Sequence, residues 1–375
     1  MKLGIIADDF TGANDVALHL MKYGIEISSY IKLDDVKGLD GSFVITTETR
    51  NSTKRDAEIK LKKTFEMIKN EKVEKIYKKI DSTLRGNIEV EILSFLNAID
   101  KHEKIVVVLP FPKAGRTVKN GKLYVNGIEL KDTEFANDPY WKLKSSSLLD
   151  YFEGRLISIE EIRNEKFYNI LEKVEEQVVI FEGETEKDLE TIAKSLCKIG
   201  FDKYVTGSSG IMEYLLYNWG YQKEKVLMVS GSCNKKNINQ INDFIKEIKP
   251  TVYDYFIDED KMEVIEGKEK ECIVFRTIRE EEQSKKNRED LDFIISEKVK
   301  KICLEEKIKK VALSGGDISI AFMERFQINR IELLYEVEPG IAYGKANEFY
   351  LVTKPGGFGS EKIYKKIYSF MKNCR

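Results

Sequence analysis

Short apolar runs alternate with helical periodicity through the first hundred residues. Leu3 to Ala7 is an apolar run that suits a buried strand, and apolar residues recur at helical spacing from Ala17 to Met21. Strands are also predicted at 25–31, 42–47, 73–80 and 105–109, with helices at about 55–70 and from residue 88. This alternation predicts a parallel sheet with helices on both faces.

The pattern changes between residues 114 and 139. Asn120-Gly121 and Asn126-Gly127 are dipeptides typical of type I′ turns, and they flank a short apolar segment at 123–125. We therefore predict a β-hairpin inserted into the α/β frame, followed by a polar loop at 132–139. Such an insertion is usually a lid, a subunit contact or both, and the alternative is an excursion without function; the sequence leaves these roles open.

Alternation returns between residues 145 and 220. A chain of 375 residues is too long for one ordinary core, and the polar residues 222–224 mark a boundary, so we expect two domains, 1–222 and 223–375. The predicted fold class is α/β, with a mostly parallel sheet flanked by helices in each domain and the hairpin inserted in the first. The strands of this stretch are predicted near 156–159, 178–181 and 204–206, and its helices near 164–176, 186–199 and 210–218.

Three strands of the second half run into small loops rich in glycine and serine. Backbone N–H groups of such loops, together with the N-terminus of a following helix, attract phosphate. Three of them favour a nucleotide-binding domain over tight structural turns. The strands are predicted at 225–229, 311–313 and 349–352, the loops at 230–234, 314–317 and 353–360, and a further turn at 338–341.

Two familiar nucleotide motifs are missing from the sequence. It has no GxxxxGK[ST], which excludes a P-loop NTPase, and no GxGxxG after the first strand, which disfavours a dehydrogenase-like enzyme. The charged stretch 279–290 is predicted to be solvated helix and linker.

Polar clusters follow three strands of the first half. Asp8-Asp9 follow the first strand, Arg50 lies in the loop after the strand at 42–47, and Lys79 to Arg85 follow the strand at 73–80. Three clusters at one sheet edge indicate a site. The Asp8-Asp9 loop is too acidic to cradle phosphate, and it suits binding hydroxyl groups, accepting a proton or holding a metal. Alternatively, Asp8 is a turn residue and Thr11 caps the following helix.

The amino-acid composition excludes several classes of binding partner. The 62 basic and 64 acidic residues leave a formal charge of −2 without a long block of one sign, which argues against nucleic acid and against an electrostatic membrane anchor. The sequence has no apolar run of the ~20 residues that span a bilayer and no signal-peptide pattern, so we expect a cytoplasmic protein. The five scattered cysteines are expected to be reduced.

Histidine is scarce. His19 falls in the first predicted helix and His102 in a polar turn, and neither neighbours a serine or cysteine nucleophile motif. Acid–base chemistry must therefore come from carboxylates or lysine.

Long motifs then identify a resemblance. The chain resembles the four-carbon acid sugar kinase family over essentially its whole length. The matching segments, in order, are IADDFTGA (6–13), KIDSTLRGN (79–87), AGRTVKNGKLYVNG (114–127), TEFANDP (133–139), SGSC (230–233), SGGD (314–317), EPG (338–340) and TKPGGFGSE (353–361).

The resemblance implies a reaction and a separate domain for each of its two substrates. Members of the family phosphorylate the terminal hydroxyl of tetronates or 3-oxo-tetronates with ATP and Mg²⁺, using an N-terminal sugar-acid domain and a C-terminal nucleotide domain. The partners implied are therefore a small sugar acid and ATP, with a homodimer possible. No residue is predicted as a metal ligand. The implied sugar-acid residues are Asp8, Asp9, Arg50, Lys79, Ile80, Asp81, Ser82 and Arg85, and the implied nucleotide residues are Ser230, Gly231, Ser232, Gly315, Gly316, Glu338, Pro339, Gly340, Ile341, Gly356 and Gly357.

The roles of individual residues are predicted from their charge and by excluding the two histidines. Arg50 is predicted to hold the substrate carboxylate, supported by Lys79, because a guanidinium can grip a carboxylate with two hydrogen bonds. Since neither histidine is suitable, the base is predicted to be Asp9 or Asp8, with Asp9 favoured and Asp81 next. A sugar-acid or nucleotide sensor of the same fold, without catalysis, is the alternative to a kinase.

Overall fold

The computed structural model describes residues 1–31, 38–39, 41–138, 141–231, 234–278 and 288–373. The chain divides into two compact units, Met1–Gln222 and Lys223–Arg375. Each unit contains one eight-stranded sheet with helices on both of its faces, and the first also carries a three-stranded sheet. The predicted α/β class with two domains is therefore confirmed.

The first unit follows the predicted alternation closely. Most predicted strands and helices are present within a few residues of their expected ends, although a short helix begins at Ile159, where the sequence suggested strand. Its elements are β1 (Leu3–Ala7), α1 (Phe10–Lys22), β2 (Ile27–Tyr30), β3 (Ser42–Thr46), α2 (Lys54–Lys69), β4 (Lys75–Lys79), α3 (Ile88–Ala98), β5 (Ile105–Val108), β6 (Arg116–Lys119), β7 (Lys122–Val125), β8 (Ile128–Glu129), β9 (Arg155–Ile157), α4 (Ile159–Ile162), α5 (Phe167–Glu172), β10 (Val178–Phe181), α6 (Glu186–Ile199), β11 (Tyr204–Gly207) and α7 (Met212–Asn218).

The large sheet of the first unit is parallel throughout, in the order β2-β3-β1-β4-β11-β5-β10-β9. One face packs against α1 and α4–α7, and the other against α2, α3 and the inserted hairpin. Because both faces are covered, β1, β5 and β10 are continuous apolar runs rather than alternating ones.

The inserted hairpin forms where the two Asn-Gly dipeptides predicted it. Asn120, Gly121, Asn126 and Gly127 all have φ between +49° and +82°, which is the left-handed backbone that type I′ turns require. The two turns connect β6, β7 and β8 into an antiparallel three-stranded sheet. Val118 and Leu123 of this sheet are buried in the core of the unit, so the insertion is packed onto the frame.

The second unit has a parallel centre with antiparallel strands at both edges, in the order β14-β13-β15-β12-β16-β19-β18-β17. Its elements are β12 (Val226–Ser230), α8 (Lys235–Ile248), β13 (Pro250–Phe256), β14 (Lys261–Ile265), β15 (Glu269–Ile278), α9 (Arg288–Glu305), β16 (Lys310–Ser314), α10 (Gly316–Arg325), β17 (Glu332–Glu338), β18 (Ile341–Ala346), β19 (Phe349–Lys354) and α11 (Ile363–Asn373).

The sequence analysis predicted three strands of this unit and did not predict the other five, β13, β14, β15, β17 and β18. All five residues of β14 are exposed, and so are the first five of β17, so neither strand shows the apolar run that marks a buried strand. Residues 279–287 of the predicted solvated stretch lie outside the described residues, and 288–290 begin α9. In the part of the chain that the structure describes, no helix is long and apolar enough to cross a membrane.

Candidate functional site

Three adjacent parallel strands bring the predicted charged residues of the first unit together. In the sheet β1 lies between β3 and β4, with Ala7 in register with both Thr46 and Lys79. The helix after β1 covers one face of the sheet, and the helices after β3 and β4 cover the other. The carboxyl ends of these strands therefore form a topological switch point, the usual ligand position in open α/β sheets.

Arg50 binds both of the aspartates that follow β1. Its Nε and Nη2 donate to the Asp8 carboxylate at 2.7 and 3.1 Å, and its Nη1 and Nη2 donate to the Asp9 carboxylate at 2.9 and 2.8 Å. Burial alone would lower the pKa of Arg50, but Asp8, and after it Asp81 and Asp9, raise that pKa above its ordinary value. Arg50 is thus a permanent cation that orients two carboxylates, with four of its five N–H groups engaged.

Asp9 is also the N-cap of α1. Its Oδ1 accepts from the backbone N–H of Gly12 at 2.9 Å, and its Oδ2 accepts from the Thr11 hydroxyl at 2.6 Å. The alternative that Thr11 caps this helix is therefore wrong. A Cβ at Gly12 would lie 2.4 Å from Asp9 Oδ1 and 3.2 Å from Lys79 Nζ. Glycine at this position lets the carboxylate and Lys79 approach the first turn of α1.

The three carboxylates of the cluster differ in accessibility. The side chain of Asp9 is 17% exposed, against 2% for Asp8 and 8% for Asp81. Asp81 accepts from the backbone N–H of Thr83 at 3.1 Å and from Nε and Nη2 of Arg85, both also at 3.1 Å. Burial alone would raise the pKa of Asp81, but the hydrogen bonds from Arg85 and the charge of Arg50 hold it far below its usual range. Asp81 is therefore a weak base.

The loop after the inserted hairpin reaches this strand edge. The Phe135 ring lies 5.8 Å from the Arg85 guanidinium, and the Asp138 carboxylate accepts from Arg85 Nη1 at 3.5 Å. The Trp141 indole N–H donates to the Asn51 side chain at 2.8 Å. These contacts favour a lid or cover among the three roles that the sequence left open for the insertion.

A buried polar network supports the loop that carries Arg50. Asn87 Nδ2 donates to the carbonyl oxygen of Thr49 at 2.8 Å. The Thr49 hydroxyl donates to Glu91, and Glu91 also forms an ion pair with Lys78 in which both side chains are fully buried. These bonds tie the loop to α3 and β4, although Asn87 Oδ1 is buried without a hydrogen-bond partner among the described residues.

Lys79, Ile80 and Ser82 have different surroundings. Lys79 Nζ donates to the Ile80 carbonyl at 3.0 Å, beside the first turn of α1. The Ile80 side chain is fully buried in the core, so any contact of this residue with a ligand must come from its backbone. Ser82 is half-buried in the loop after β4. The structure thus brings Asp8, Asp9, Arg50, Lys79, Asp81 and Arg85 together and places the Ile80 side chain elsewhere.

The sequence analysis missed a fourth loop at the same edge. β11 lies between β4 and β5, and it ends in Gly207 followed by Ser208, Ser209 and Gly210. Tyr77 donates its hydroxyl to the Ser208 carbonyl, and the Ser209 hydroxyl donates to Asp15 of α1. The signal was present as a Gly-Ser-Ser-Gly run, but it lies 128 residues after the end of β4 in sequence (207 against 79), and only the strand order makes it a neighbour.

In the second unit the predicted glycine and serine loops also converge. β12, β16 and β19 are adjacent and parallel, with Ser230 in register with Ser314 and Ser314 in register with Lys354. One side chain joins the three strand ends, that of the fully buried Asn237 in α8. Its Nδ2 donates to Ser230 Oγ at 2.9 Å, and its Oδ1 accepts from Ser314 Oγ at 2.8 Å and Lys354 Nζ at 2.9 Å.

The loop after β19 turns its carbonyl groups inward. Lys354 Nζ donates to the carbonyl oxygens of Pro355 and Gly356 at 3.3 and 2.9 Å, and Gln240 donates to those of Gly359 and Ser360 at 3.1 and 2.8 Å. In a trans peptide the N–H points opposite to the carbonyl, so the amides of Gly356 and Gly357 point away from Lys354 and outward from the loop. Outward-facing backbone amides make an anion-binding concavity.

The turn between β17 and β18 lies beside this loop. Glu338 accepts from the backbone N–H and the hydroxyl of Ser360, both at 2.8 Å. Gly340 has a φ of +76°, and a Cβ there would lie 2.8 Å from the Phe358 ring. The Ile341 side chain is fully buried in the core. Ser232 lies outside the described residues, whereas the other predicted nucleotide residues are at this sheet edge, namely Ser230, Gly231, Gly315, Gly316, Glu338, Pro339, Gly340, Gly356 and Gly357.

The residues that the structure describes do not fit a metal ion held by protein side chains alone. Among the described residues, no group of three or more His, Cys, Asp or Glu side chains is arranged to hold a metal ion. The acids of the strand-end cluster are instead paired with Arg50 and Arg85.

Comparison with known families follows the same division. A family described as a sugar-binding N-terminal domain matches residues 3–215, and one described as a nucleotide-binding C-terminal domain matches residues 227–363. The chain belongs to the four-carbon acid sugar kinase family. The resemblance seen in the sequence motifs is therefore confirmed.

Three curated relatives of the family span nearly the whole chain. A D-threonate kinase of Salmonella typhimurium is 26% identical over 96% of this chain and 96% of its own. A D-erythronate kinase of Heliobacterium modesticaldum is 24% identical over 95% and 94%, respectively. A 3-oxo-tetronate kinase of Brucella melitensis is 23% identical over 97% and 94%.

Solved structures share the fold. A domain of unknown function from Bordetella bronchiseptica, described as a domain-swapped dimer with bound citrate, is 21% identical, with a TM-score of 0.63 over 100% of both chains. A Haemophilus influenzae protein is 19% identical, with a TM-score of 0.51 over 98% of this chain and 100% of its own.

Proposed function

We propose that this protein is an ATP-dependent kinase that phosphorylates the terminal hydroxyl of a four-carbon sugar acid, a tetronate or a 3-oxo-tetronate. The observation that carries the proposal is the pair of dissimilar strand-end sites. The first unit has a cluster of acids and cations, and the second has neutral loops with outward amides. The names of the curated relatives support the same substrate class.

The charged cluster of the first unit suits a small hydroxylated acid. Lys79 and Arg85 offer positive charge to the substrate carboxylate, and the aspartates accept hydrogen bonds from its hydroxyl groups. The prediction that Arg50 itself holds the carboxylate stays a prediction, with one N–H left to serve it. We assign Arg50 the further role of orienting Asp8 and Asp9.

Asp9 is our candidate for the base. It is the most exposed carboxylate of the cluster, whereas Asp8 is buried and the pKa of Asp81 is held far down. In a loose phosphoryl-transfer transition state the hydroxyl becomes acidic late, so a carboxylate that is stabilised by an arginine can still accept its proton.

The nucleotide is assigned to the second unit. The outward amides of the loop after β19 and the glycine loops after β12 and β16 would bind its phosphates. Mg²⁺ would enter as MgATP, because the described residues offer no cluster of metal ligands. Bound there, it would neutralise phosphate charge.

One assay separates the candidate functions. The protein is incubated with ATP, Mg²⁺ and D-threonate, D-erythronate or a 3-oxo-tetronate in turn, while ADP release is followed. We expect ADP release that depends on one of these acids. A sensor would bind the acid or ATP in calorimetry without releasing ADP, and a dehydrogenase-like enzyme would instead need a nicotinamide cofactor.

We further propose that the enzyme is cytoplasmic and forms a homodimer, since the related structure from Bordetella bronchiseptica is described as a domain-swapped dimer. Sedimentation of the purified protein would test the oligomeric state. A single species with the mass of one chain, 43.4 kDa, would exclude the dimer.

A further inference from the structure

Lys354 is a buried lysine at the carboxyl end of β19. It is 2% exposed, and its ammonium is surrounded by four oxygens. These are Asn237 Oδ1 at 2.9 Å, Ser314 Oγ at 3.5 Å, and the Pro355 and Gly356 carbonyls at 3.3 and 2.9 Å. All four oxygens are neutral.

Of the three other buried lysines that the structure describes, two are paired with a carboxylate, and the third, Lys79, lies in the charged cluster of the first unit. Lys78 pairs with the buried Glu91, and Lys310, at the opposite end of the neighbouring strand β16, pairs with Glu224 at 3.1 Å. For Lys354 the described part of the chain gives no such ion pair. Burying an ammonium group without an opposite charge costs free energy. A structural role alone therefore does not account for Lys354 at this position.

The titratable groups around Lys354 do not supply the missing charge. Lys236 of α8 is a second cation, and Tyr364 of α11 is a phenol whose own pKa burial raises to about 12. Burial first, and then the charge of Lys236, lower the pKa of Lys354 to about 8. The ammonium therefore loses its proton in an accessible range of pH unless an anion stabilises it.

The position of the Lys354 ammonium indicates which anion would neutralise it. It holds the first two carbonyls of the glycine-rich loop, whose following amides face outward, and through Asn237 it is tied to the ends of β12 and β16. We propose that Lys354 is the positioning cation of the nucleotide site, holding the loop in its anion-binding form and being neutralised by the phosphate groups of the bound nucleotide. This proposal rests on the assignment of the nucleotide to the second unit.

A pH titration of binding tests the charge directly. ADP affinity is measured by calorimetry between pH 7 and 9.5, where its phosphates keep a constant charge because their second pKa is about 6. The ammonium stabilises bound ADP fully below the pKa of the free protein, about 8, and this stabilisation is lost as the pH rises above it. We expect the affinity to fall by up to about tenfold per pH unit there.

Substitutions separate charge from packing. Lys354→Arg keeps its charge through this range, so the fall above pH 8 should disappear. Lys354→Met should bind ADP about 10–100-fold more weakly at pH 7, as expected for loss of a charge-assisted group, with little pH dependence. Lys310→Met, the control for losing a buried lysine of the same sheet, should keep the profile of the original protein.

The outcomes are distinct. If the original protein binds no ADP, the nucleotide assignment itself fails. If it binds ADP but its affinity is flat across this range, or if Lys354→Arg shows the same fall, the role of Lys354 is overturned. The arginine comparison decides the matter even if Lys354→Met does not fold.

Discussion

The two units place their candidate sites at the same position, the carboxyl edge of a parallel sheet, and fill that position with opposite chemistry. In the first unit Asp8, Asp9 and Asp81 meet Arg50 and Arg85 in a dense network of ion pairs. In the second, the strand ends are joined by a neutral asparagine, and the loop amides face outward.

The difference shows how each site obtains specificity. Fixed charges select a small acid by pairing with its carboxylate and hydroxyl groups, and they act in both the ground state and the transition state. Backbone amides recognise phosphate through many weak dipoles and tolerate few changes in backbone shape. Lys354 apart, substitutions of charge should therefore act mainly in the first unit, and substitutions of shape mainly in the second.

The largest effect is expected from Asp9→Asn. This change keeps the shape of the side chain and removes its ability to accept a proton, so kcat should fall by about 10²–10⁴-fold, with the KM for ATP nearly unchanged. Thr11→Val is the matched control, because it removes one hydrogen bond to Asp9 and leaves the carboxylate. If Asp9→Asn and Asp8→Asn both keep normal kcat, the base lies elsewhere.

Arg50→Lys should come next. A lysine cannot make the two bidentate contacts with Asp8 and Asp9, so the aspartates lose their fixed orientation. We expect the KM for the sugar acid to rise by about 10–100-fold, the cost of weakened charge-assisted bonds, while the KM for ATP changes little. Equal changes in both KM values in steady-state assays would count against this separation of the two sites.

Gly357→Val should weaken nucleotide binding. The added Cβ would lie 3.3 Å from the Asn234 side chain, and its branches would crowd the outward amides. We expect about a tenfold loss of ADP affinity in calorimetry, equivalent to about 1.4 kcal/mol, with sugar-acid binding unchanged. The same test applies to Gly356→Val. Full ADP affinity in both variants would refute the placement of the phosphates at this loop.

The smallest effect is expected from Gly86→Ala, which tests the shape of the charged site. Gly86 has a φ of +94°, and a Cβ there would lie 2.9 Å from Arg50 Cγ and 3.1 Å from its Cα. The KM for the sugar acid should rise by a few-fold, and the free energy of unfolding should fall by about 1–3 kcal/mol.

Gly127→Ala provides the control for backbone strain alone. Its φ is +82°, but nothing lies within 4 Å of the added Cβ. A comparable loss of stability with unchanged KM is expected in chemical denaturation and steady-state assays. If Gly127→Ala raises the KM as much as Gly86→Ala does, the contact with Arg50 is not the cause.

Much of the fold could be predicted because short stretches of sequence indicate their own secondary structure. The run Leu3 to Ala7 indicates a buried strand by composition alone, and the Asn-Gly dipeptides determine two type I′ turns because few other residues tolerate their backbone angles. By contrast, β14 and β17 have largely exposed side chains and become strands only by pairing with neighbours, so their sequence gives little signal.

For the sites, the sequence by itself determined which residue types follow which strands, and hence that Asp8, Arg50 and Asp81 share one edge. Only the tertiary structure decided their partners. Arg50 meets Asp8 and Asp9 because β1 lies beside β3, and the Gly207–Gly210 loop joins them because β11 enters the sheet beside β4. Lys354 becomes a buried cation because α8 places Asn237 over three strand ends. Such contacts join residues far apart in sequence, so no local pattern can encode them.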